Sequence, residues 1–341
     1  MRIVITYGQR PPYPPFGRHL AQAFRDLSHP SWLVCVRDRP WWGSVLKRLG
    51  RKRIHRQWDQ KTWAHAKLHQ ALLRYRPDGV LDIGGDLFES TALREMSRRF
   101  GNRFAVWLIE GPYRDAHLPL AEYAAVASSS RATVRELCTQ GLSSARYLPF
   151  ATEPRWFRPA AWQPDYRSHR VGFVGAGSRR RAAFFERISD FGLSIWGTEW
   201  HGLGVERLAP TIRSYRGVFG KKVVRCYQRS HIQLSVHREH MFHEALSSHP
   251  VATGLNFRHF DVPSCGTLLL SEWVEELPEA FVSGKEMDTF TSPDELREKI
   301  RYYLSHESSW QKLVQAARAR VLKDHTCHHR AREWIRMFGS K

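Results

Sequence analysis

Short runs of β-branched and apolar residues alternate with helix-patterned segments along the chain, and a proline-rich break divides that alternation in two. Strand-like runs fall at 2–6, 32–36, 79–83, 104–109, 124–128 and 146–149, with helical patterns at 17–27, 58–75, 92–100 and 132–140. Pro77 ends the second helical pattern just before a strand, because proline cannot continue the hydrogen-bond ladder. Pro154, Pro159 and Pro164, interleaved with Trp156, Phe157 and Trp162, then interrupt the pattern and read as a stiff linker over 156–168. Strand-like runs resume at 171–174, 193–196, 232–236 and 267–270, with helical patterns at 180–189, 258–264, 293–305, 309–324 and 330–337. Strands alternating with helices favour parallel sheets covered by helices on both faces. A length of 341 residues fits two such domains. The expected division is 1–155, the linker, then 169–325, with a final segment 326–341 whose helix packs back on the first domain.

The hydrophobic share of 42% supports two real cores rather than a disordered chain. No apolar run reaches the roughly 18 residues of a membrane-spanning helix. Met1 to Tyr7 read as a first strand and carry no signal-peptide pattern. Cys35, Cys138, Cys226, Cys265 and Cys327 are odd in number and scattered, so a disulfide framework is not expected and a cytoplasmic setting is. The net charge of +20 is unevenly spread. Residues 37–76 hold twelve Lys or Arg against two Asp, whereas 251–300 hold four against ten Asp or Glu. An excess of this kind points to an anionic partner, or to an arginine-rich surface that binds nothing specific.

Two segments could carry chemistry. Val171 to Arg181 runs from a strand through Gly175 and Gly177 to Ser178 and a helix start. Glycines let a backbone approach a phosphate closely, and helix-start N–H groups favour an anion, with Arg181 as reinforcement. A plain tight strand–helix turn would look the same. Arg180 stands where a dinucleotide fingerprint needs its third glycine, although Glu199 lies about twenty residues on. The second segment, Asn256 to Leu270, sets Arg258, Phe260 and Asp261 on a short helix before Gly266 and an apolar strand. One carboxylate there can accept both hydroxyls of a ribose while Arg258 addresses phosphate. The alternative is an ordinary Asp–Arg surface pair.

Arg258, Phe260-Asp261 and Cys265-Gly266 together resemble the C-terminal domain of group 1 glycosyltransferases, and more closely the CgeB-like, spore-maturation branch of the GT-B superfamily. Further pieces resemble the family in the same order: Phe173 to Gly175 with Arg181, Ile195 to Gly197 with Trp200, Arg216-Gly217, Tyr227 before Ile232 to Leu234, Glu275 to Leu277 with Phe281, Gly284 to Glu286, and His325-Thr326 with Arg330. Pro77 to Val80, Trp107 to Pro112 and Leu148 to Phe150 resemble its N-terminal half and hinge. The resemblance is dense from about residue 146 onward and implies an α/β GT-B architecture, two Rossmann-like domains facing across a cleft. It also implies a nucleotide-diphosphate sugar as donor substrate. Gly175, Gly177, Ser178, Arg181, Gly197, Tyr227, Arg258, Phe260, Asp261 and Gly266 would bind its nucleotide, with Asp261 on the ribose and Arg181 by the diphosphate. Thr253 departs from the pattern, standing where many group 1 enzymes carry a first glutamate, and 37–65 match nothing in the family.

GT-B enzymes generally need no metal and no separate cofactor, since basic side chains and helix ends can stabilise the leaving diphosphate. An inverting transfer also needs a general base. Asp82, Asp86 and Glu110 follow the runs 79–83 and 104–109, and Asp86 and Glu110 are the catalytic candidates; taken singly, each also suits the cap of a following helix. His237, His240 and His243, and the tail group His325, Cys327, His328 and His329, have metal-ligand types but lack a paired zinc motif, so solvated or helix-face histidines are expected. Trp41, Trp42, Val45, Leu46 and Leu49 fall on one side of a helical wheel, with Lys47, Arg48, Arg51, Lys52, Arg53 and Arg56 around them. That pattern suits peripheral contact with an anionic membrane at its inner face, where a glycan, lipid-linked or small-molecule acceptor would be met; it also suits packing on the domain core. The rival readings are an NAD-binding oxidoreductase, against which the missing glycine speaks, and a nucleic-acid-binding module using Arg51-Lys52-Arg53, which no recognised motif accompanies.

Overall fold

The computed structural model describes residues 1–8, 16–36, 60–101, 103–109, 118–160, 168–203, 206–238 and 254–339. The chain divides into two compact units, Met1–Pro149 with Cys327–Lys341, and Phe150–Thr326.

The first unit runs β1 (Ile3–Tyr7), α1 (Phe16–Asp26), β2 (Ser31–Cys35), α2 (Gln60–Tyr75), β3 (Gly79–Ile83), α3 (Ser90–Phe100), β4 (Arg103–Leu108), β5 (Ala125–Ser128), α4 (Arg131–Thr139) and β6 (Arg146–Tyr147). Its six strands are all parallel in the order β2-β1-β3-β4-β5-β6, with Ile3 opposite both Ser31 and Gly79. Strands buried on both faces must be apolar throughout, which is why Ile3, Val4, Ile5, Val80, Leu81, Phe104, Val106 and Trp107 are all buried. Strand β6 is two residues long rather than the four expected, because Pro149 has no N–H for a ladder.

The second unit runs β7 (His169–Val174), α5 (Arg179–Glu186), β8 (Leu193–Trp196), β9 (Ile212–Ser214), α6 (Lys221–Gln228), β10 (Ser230–Ser235), α7 (Arg258–Ser264), β11 (Leu268–Glu272), α8 (Leu277–Ala280), β12 (Asp288–Phe290), α9 (Pro293–Ser305) and α10 (Glu307–Asp324). Its sheet is again six parallel strands, in the order β12-β11-β10-β7-β8-β9. Val171, Phe173, Ile195, Ile232, Leu234, Leu268 and Leu270 form its core with Phe185, Ile300 and Trp310. Phe157, expected in the linker, packs inside this unit: its carbonyl accepts from the Ser264 hydroxyl at 2.5 Å and its ring lies 6.4 Å from Tyr227.

The last helix, α11 (Cys327–Gly339), belongs to the first unit. It lies against α1, where His328 meets Asp26 at 2.9 Å. Trp334 is fully buried 6.0 Å from Trp107, and Arg330 donates from Nε to the Pro149 carbonyl at 2.7 Å. The two sheets thus show the α/β architecture expected from the sequence.

Candidate functional site

In parallel α/β sheets, ligands gather beyond the C-terminal ends of the strands, where the loops are free to vary. At that edge of the second sheet, β7 ends at Val174 and turns through Gly175, Ala176 and Gly177 into α5. The turn is stitched to the loop after β8: Gly175 N–H donates to the Trp196 carbonyl at 2.9 Å and Gly177 N–H to Thr198 at 2.7 Å. The Trp200 indole N–H closes the turn on the Gly175 carbonyl at 3.0 Å. A β-carbon at Gly197 would sit 1.8 Å from the Gly175 carbonyl oxygen, and one at Gly177 2.3 Å from that of Glu199. These glycines therefore exist so that two backbones can touch. Their N–H groups at 175 and 177 are spent inside the protein, so their part is to shape the turn. Glu199 sits opposite with φ of 64°, a left-handed conformation that costs a non-glycine residue roughly 1 kcal/mol or more.

The charges of the site come from side chains placed on that turn. Ser178 caps α5 by accepting from the Arg181 N–H at 3.3 Å, as capping serines do. Arg181 folds inward, only 6% exposed, and donates to the Val236 and Ala176 carbonyls, each at 2.8 Å. From the start of α7, Arg258 donates through Nε to the Val174 carbonyl at 2.9 Å. Both guanidinium groups lie 5.1 Å from the Phe173 ring, whose π-system favours cations at its face. Burial draws the Arg258 pKa downward from its ordinary value. Two cations are thus held together at the end of β7.

Asp261 follows Arg258 by one helical turn. It is 5% exposed, and among the described residues its Oδ1 has no hydrogen-bond partner. Burial holds its carboxyl well above the usual carboxylate range, with the Thr152 hydroxyl opposing the shift. Tyr227, on α6, is buried within electrostatic reach of both Arg258 and Asp261, and burial raises its phenol. The turn glycines, Ser178, Arg181 and Arg258 therefore share one patch, with Tyr227 and Asp261 adjoining it. Two expected residues stand elsewhere. Phe260 is fully buried against Phe281 at 6.2 Å and His325 at 5.2 Å, so it anchors α7 in the core. Gly266, with φ of 71°, follows α7 as its left-handed cap under Pro159.

A buried polar network beside this patch was not foreseen. Glu272, the last residue of β11, pairs with Arg180 and accepts from the His237 N–H at 2.9 Å. Arg180 also donates to the His237 carbonyl at 2.8 Å, and His237 Nε2 meets the Gly254 carbonyl at 3.0 Å. Burial opposes ionisation of Glu272, yet bonds from His237 and Arg180 prevail and bring it down to about 2. His259, bonded to the Ser271 hydroxyl at 2.8 Å, is pushed down to about 3 by burial and by His237 beside it. The network ties α5, β10, α7 and β11 at one edge. Its one sequence signal was an acid closing the apolar run Leu268 to Ser271.

In the first unit, β3 ends in Gly84 and Gly85 at φ of 123° and 85°, and these place Asp86 on the surface. Asp82, on the strand itself, is 2% exposed and accepts from the Thr6 and Tyr123 hydroxyls, each at 2.8 Å. Burial pushes it up to about 6 despite those bonds, and the Asp86 charge adds to the rise. Glu110, the segment 41–56, His240, His243 and Thr253 lie outside the described residues. His325 bonds the Ala280 carbonyl at 3.2 Å while His328 meets Asp26, and no three His, Cys, Asp or Glu among the described residues are placed to hold a metal. No helix of the described residues is long and apolar enough to cross a membrane.

Residues 179–336 match a family described as glycosyl transferase-like. Solved structures extend the likeness to the whole chain. A glycosyltransferase from Rickettsia africae superposes with a TM-score of 0.67 at 11% identity, covering 99% of this chain and 97% of that one. The sucrose-phosphate synthase of Thermosynechococcus elongatus gives 0.67 at 11% identity over 99% and 98%. The Anabaena protein HepE, solved with UDP and glucose, gives 0.64 at 11% identity over 100% of both chains. The chain has the GT-B fold that these glycosyltransferases share. The matched family segment covers α5, α7 and β11, and so contains Arg181, Arg258 and Asp261. No curated protein matches the sequence.

Proposed function

We propose that this protein is a glycosyltransferase that takes its sugar from a nucleotide-diphosphate donor held at the C-terminal edge of the second sheet, without a metal ion. The observation that carries the reading is the pairing of two inward-folded guanidinium groups, Arg181 and Arg258, beside a buried carboxyl whose Oδ1 lacks a partner among the described residues. A ribose hydroxyl donating to Asp261 satisfies that oxygen, and the guanidinium pair takes the charge that grows on the diphosphate as the glycosidic bond breaks. The HepE structures with UDP and with UDP-glucose favour a uridine nucleotide. Asp86 and Glu110 are the proposed general bases, one of which would take the proton of the acceptor hydroxyl in an inverting transfer. Gly175, Gly177 and Gly197 shape the pocket, while Ser178 and Tyr227 border it. The order of Arg258, Phe260-Asp261 and Cys265-Gly266 supports a place in the CgeB-like branch. The apolar and basic pattern of 41–56 supports an acceptor met at an anionic membrane.

Calorimetry with UDP in the presence of a chelator tests the reading. Losing a bond to a buried carboxyl and leaving the ribose hydroxyl unpaired costs about 1–3 kcal/mol, so Asp261→Ala is expected to bind UDP roughly five- to a hundredfold more weakly. Arg181→Ala should weaken UDP far more than uridine, provided thermal melting shows the variant folded. Unchanged UDP affinity in Asp261→Ala, or equal losses for UDP and uridine in Arg181→Ala, would remove the assignment.

A further inference from the structure

The first unit holds a second basic cavity, remote in sequence from every donor-site residue. It measures about 810 Å³ and opens beside the edge strand β6, between α4 and α11. Ligand pockets commonly span about 300–1,000 Å³, so the space admits a small molecule or a headgroup. Its walls carry Arg131, Arg146 and Arg336 with Tyr147 and Glu333 over an apolar floor that includes Val134. Glu333 accepts from Arg330 at 3.2 Å, which offsets its charge. Arg131 lies 4.5 Å from the Tyr147 ring and so presents a flat, stacked guanidinium. It sits in the first turn of α4, which has no acidic residue. A cation at that end faces the positive pole of the helix dipole, an arrangement that an incoming anion relieves. Arg146 and Arg336 are exposed at the rim.

We propose that this cavity binds a phosphate group. Arg131, Arg146 and Arg336 outnumber the one carboxylate in the lining, Glu333, which Arg330 already engages, and such a surplus of guanidinium groups suits a phosphate dianion better than a single carboxylate. Guanidinium forks also suit the spread oxygens of a phosphate. The group can belong to a soluble phosphorylated compound or to a lipid headgroup, and the cavity gives part of the chain's excess positive charge a specific use. The site is separate from the donor reading and stands if that reading fails.

The test titrates inorganic pyrophosphate into the full chain with UDP present throughout. The variant Arg146→Ala with Arg336→Ala is compared with the wild type at matched melting temperature. Both side chains are exposed, so folding should be unaffected, and Arg146→Gln and Arg336→Gln taken singly give the same readout. Pyrophosphate binding at least tenfold weaker in the variant is the expected result. Flotation with phosphatidic acid vesicles, against phosphatidylcholine vesicles, identifies the source. Vesicle binding lost in the variant assigns a lipid headgroup; a pyrophosphate effect with no vesicle binding assigns a soluble phosphate. Equal pyrophosphate affinity in wild type and variant, or none in either, overturns the proposal.

Discussion

Asp82 and Asp261 both keep a carboxyl away from water, but they are held differently and make different predictions. Asp82 accepts two hydroxyl bonds, yet burial still lifts its pKa from 3.8 to about 6. A carboxyl whose folded pKa is raised contributes stability that is complete below its unfolded value and is lost as pH climbs through the folded one. The window is therefore pH 4 to 6, and the loss across it is on the order of 3 kcal/mol at 1.36 kcal/mol per unit. Asp82→Asn keeps the shape, and the Tyr123 hydroxyl can turn to accept from the new amide. Chemical denaturation of the first unit should then show wild type falling relative to Asp82→Asn between pH 4 and 6.5. Parallel curves across that range would mean that Thr6 and Tyr123 keep Asp82 ionised throughout. Asp261 has an oxygen with no described partner, and that vacancy is what makes it a binding residue in the donor proposal. Sequence alone singled out Asp261 because it stands at a fixed interval from Arg258 and Gly266. It gave less prominence to Asp82, whose environment is built from Thr6 and Tyr123, 76 and 41 residues away.

Whole elements were legible where the physics is local. Strands buried on both faces must be continuous apolar runs, and helices show their own period, so the long strands and helices of both sheets could be read directly. Strands β9 and β12 and helix α8, three or four residues each, are too short to show any period and were missed, as was the eight-residue α6, which spans barely two turns. The glycine turn was located correctly, yet its use could not be read from spacing. A phosphate cradle and a tight backbone crossing both call for glycine, and only the structure shows Gly197 pressed against the Gly175 carbonyl. That contact predicts a position-specific cost. In Gly197→Ala the new methyl would lie 1.8 Å from a backbone oxygen, so the β7–α5 turn must move. Overpacking of this kind costs about 1–3 kcal/mol, and the displaced turn carries Ser178 and Arg181 with it. Urea unfolding should show the loss, and UDP affinity should fall with it. Gly339→Ala, where a β-carbon meets nothing within 4 Å, should leave both unchanged and serves as the control. A stable Gly197→Ala with full UDP affinity would mean that the turn relaxes at no cost.

At the scale of the whole molecule, the division into two six-stranded sheets came through because each sheet repeats the same strand–helix alternation. The final helix, expected from the sequence to return to the first domain, does so across a long stretch of chain, 235 positions in the case of Arg103 and Phe338. Its placement rests on pairings such as Trp107 with Trp334 and Arg103 with the Phe338 carbonyl. Two units with separate cores need not respond equally to a ligand. A ligand that binds only the folded form of one unit stabilises that unit by RT ln(1 + [L]/Kd), about 2.7 kcal/mol at a hundredfold excess over Kd. Amides that exchange through opening of that unit should then slow by roughly two orders of magnitude, while amides of the other keep their rates. Peptide-resolved hydrogen exchange with saturating UDP is accordingly expected to protect 171–178, 193–200 and 256–266, and to leave β1 to β4 unaltered. In Asp261→Ala the same UDP concentration should protect these segments much less, because the ligand is no longer in large excess over Kd. Protection centred on β1 and β3 would instead place the nucleotide on the first unit, and the roles given to Arg181, Arg258 and Asp261 would fall with it.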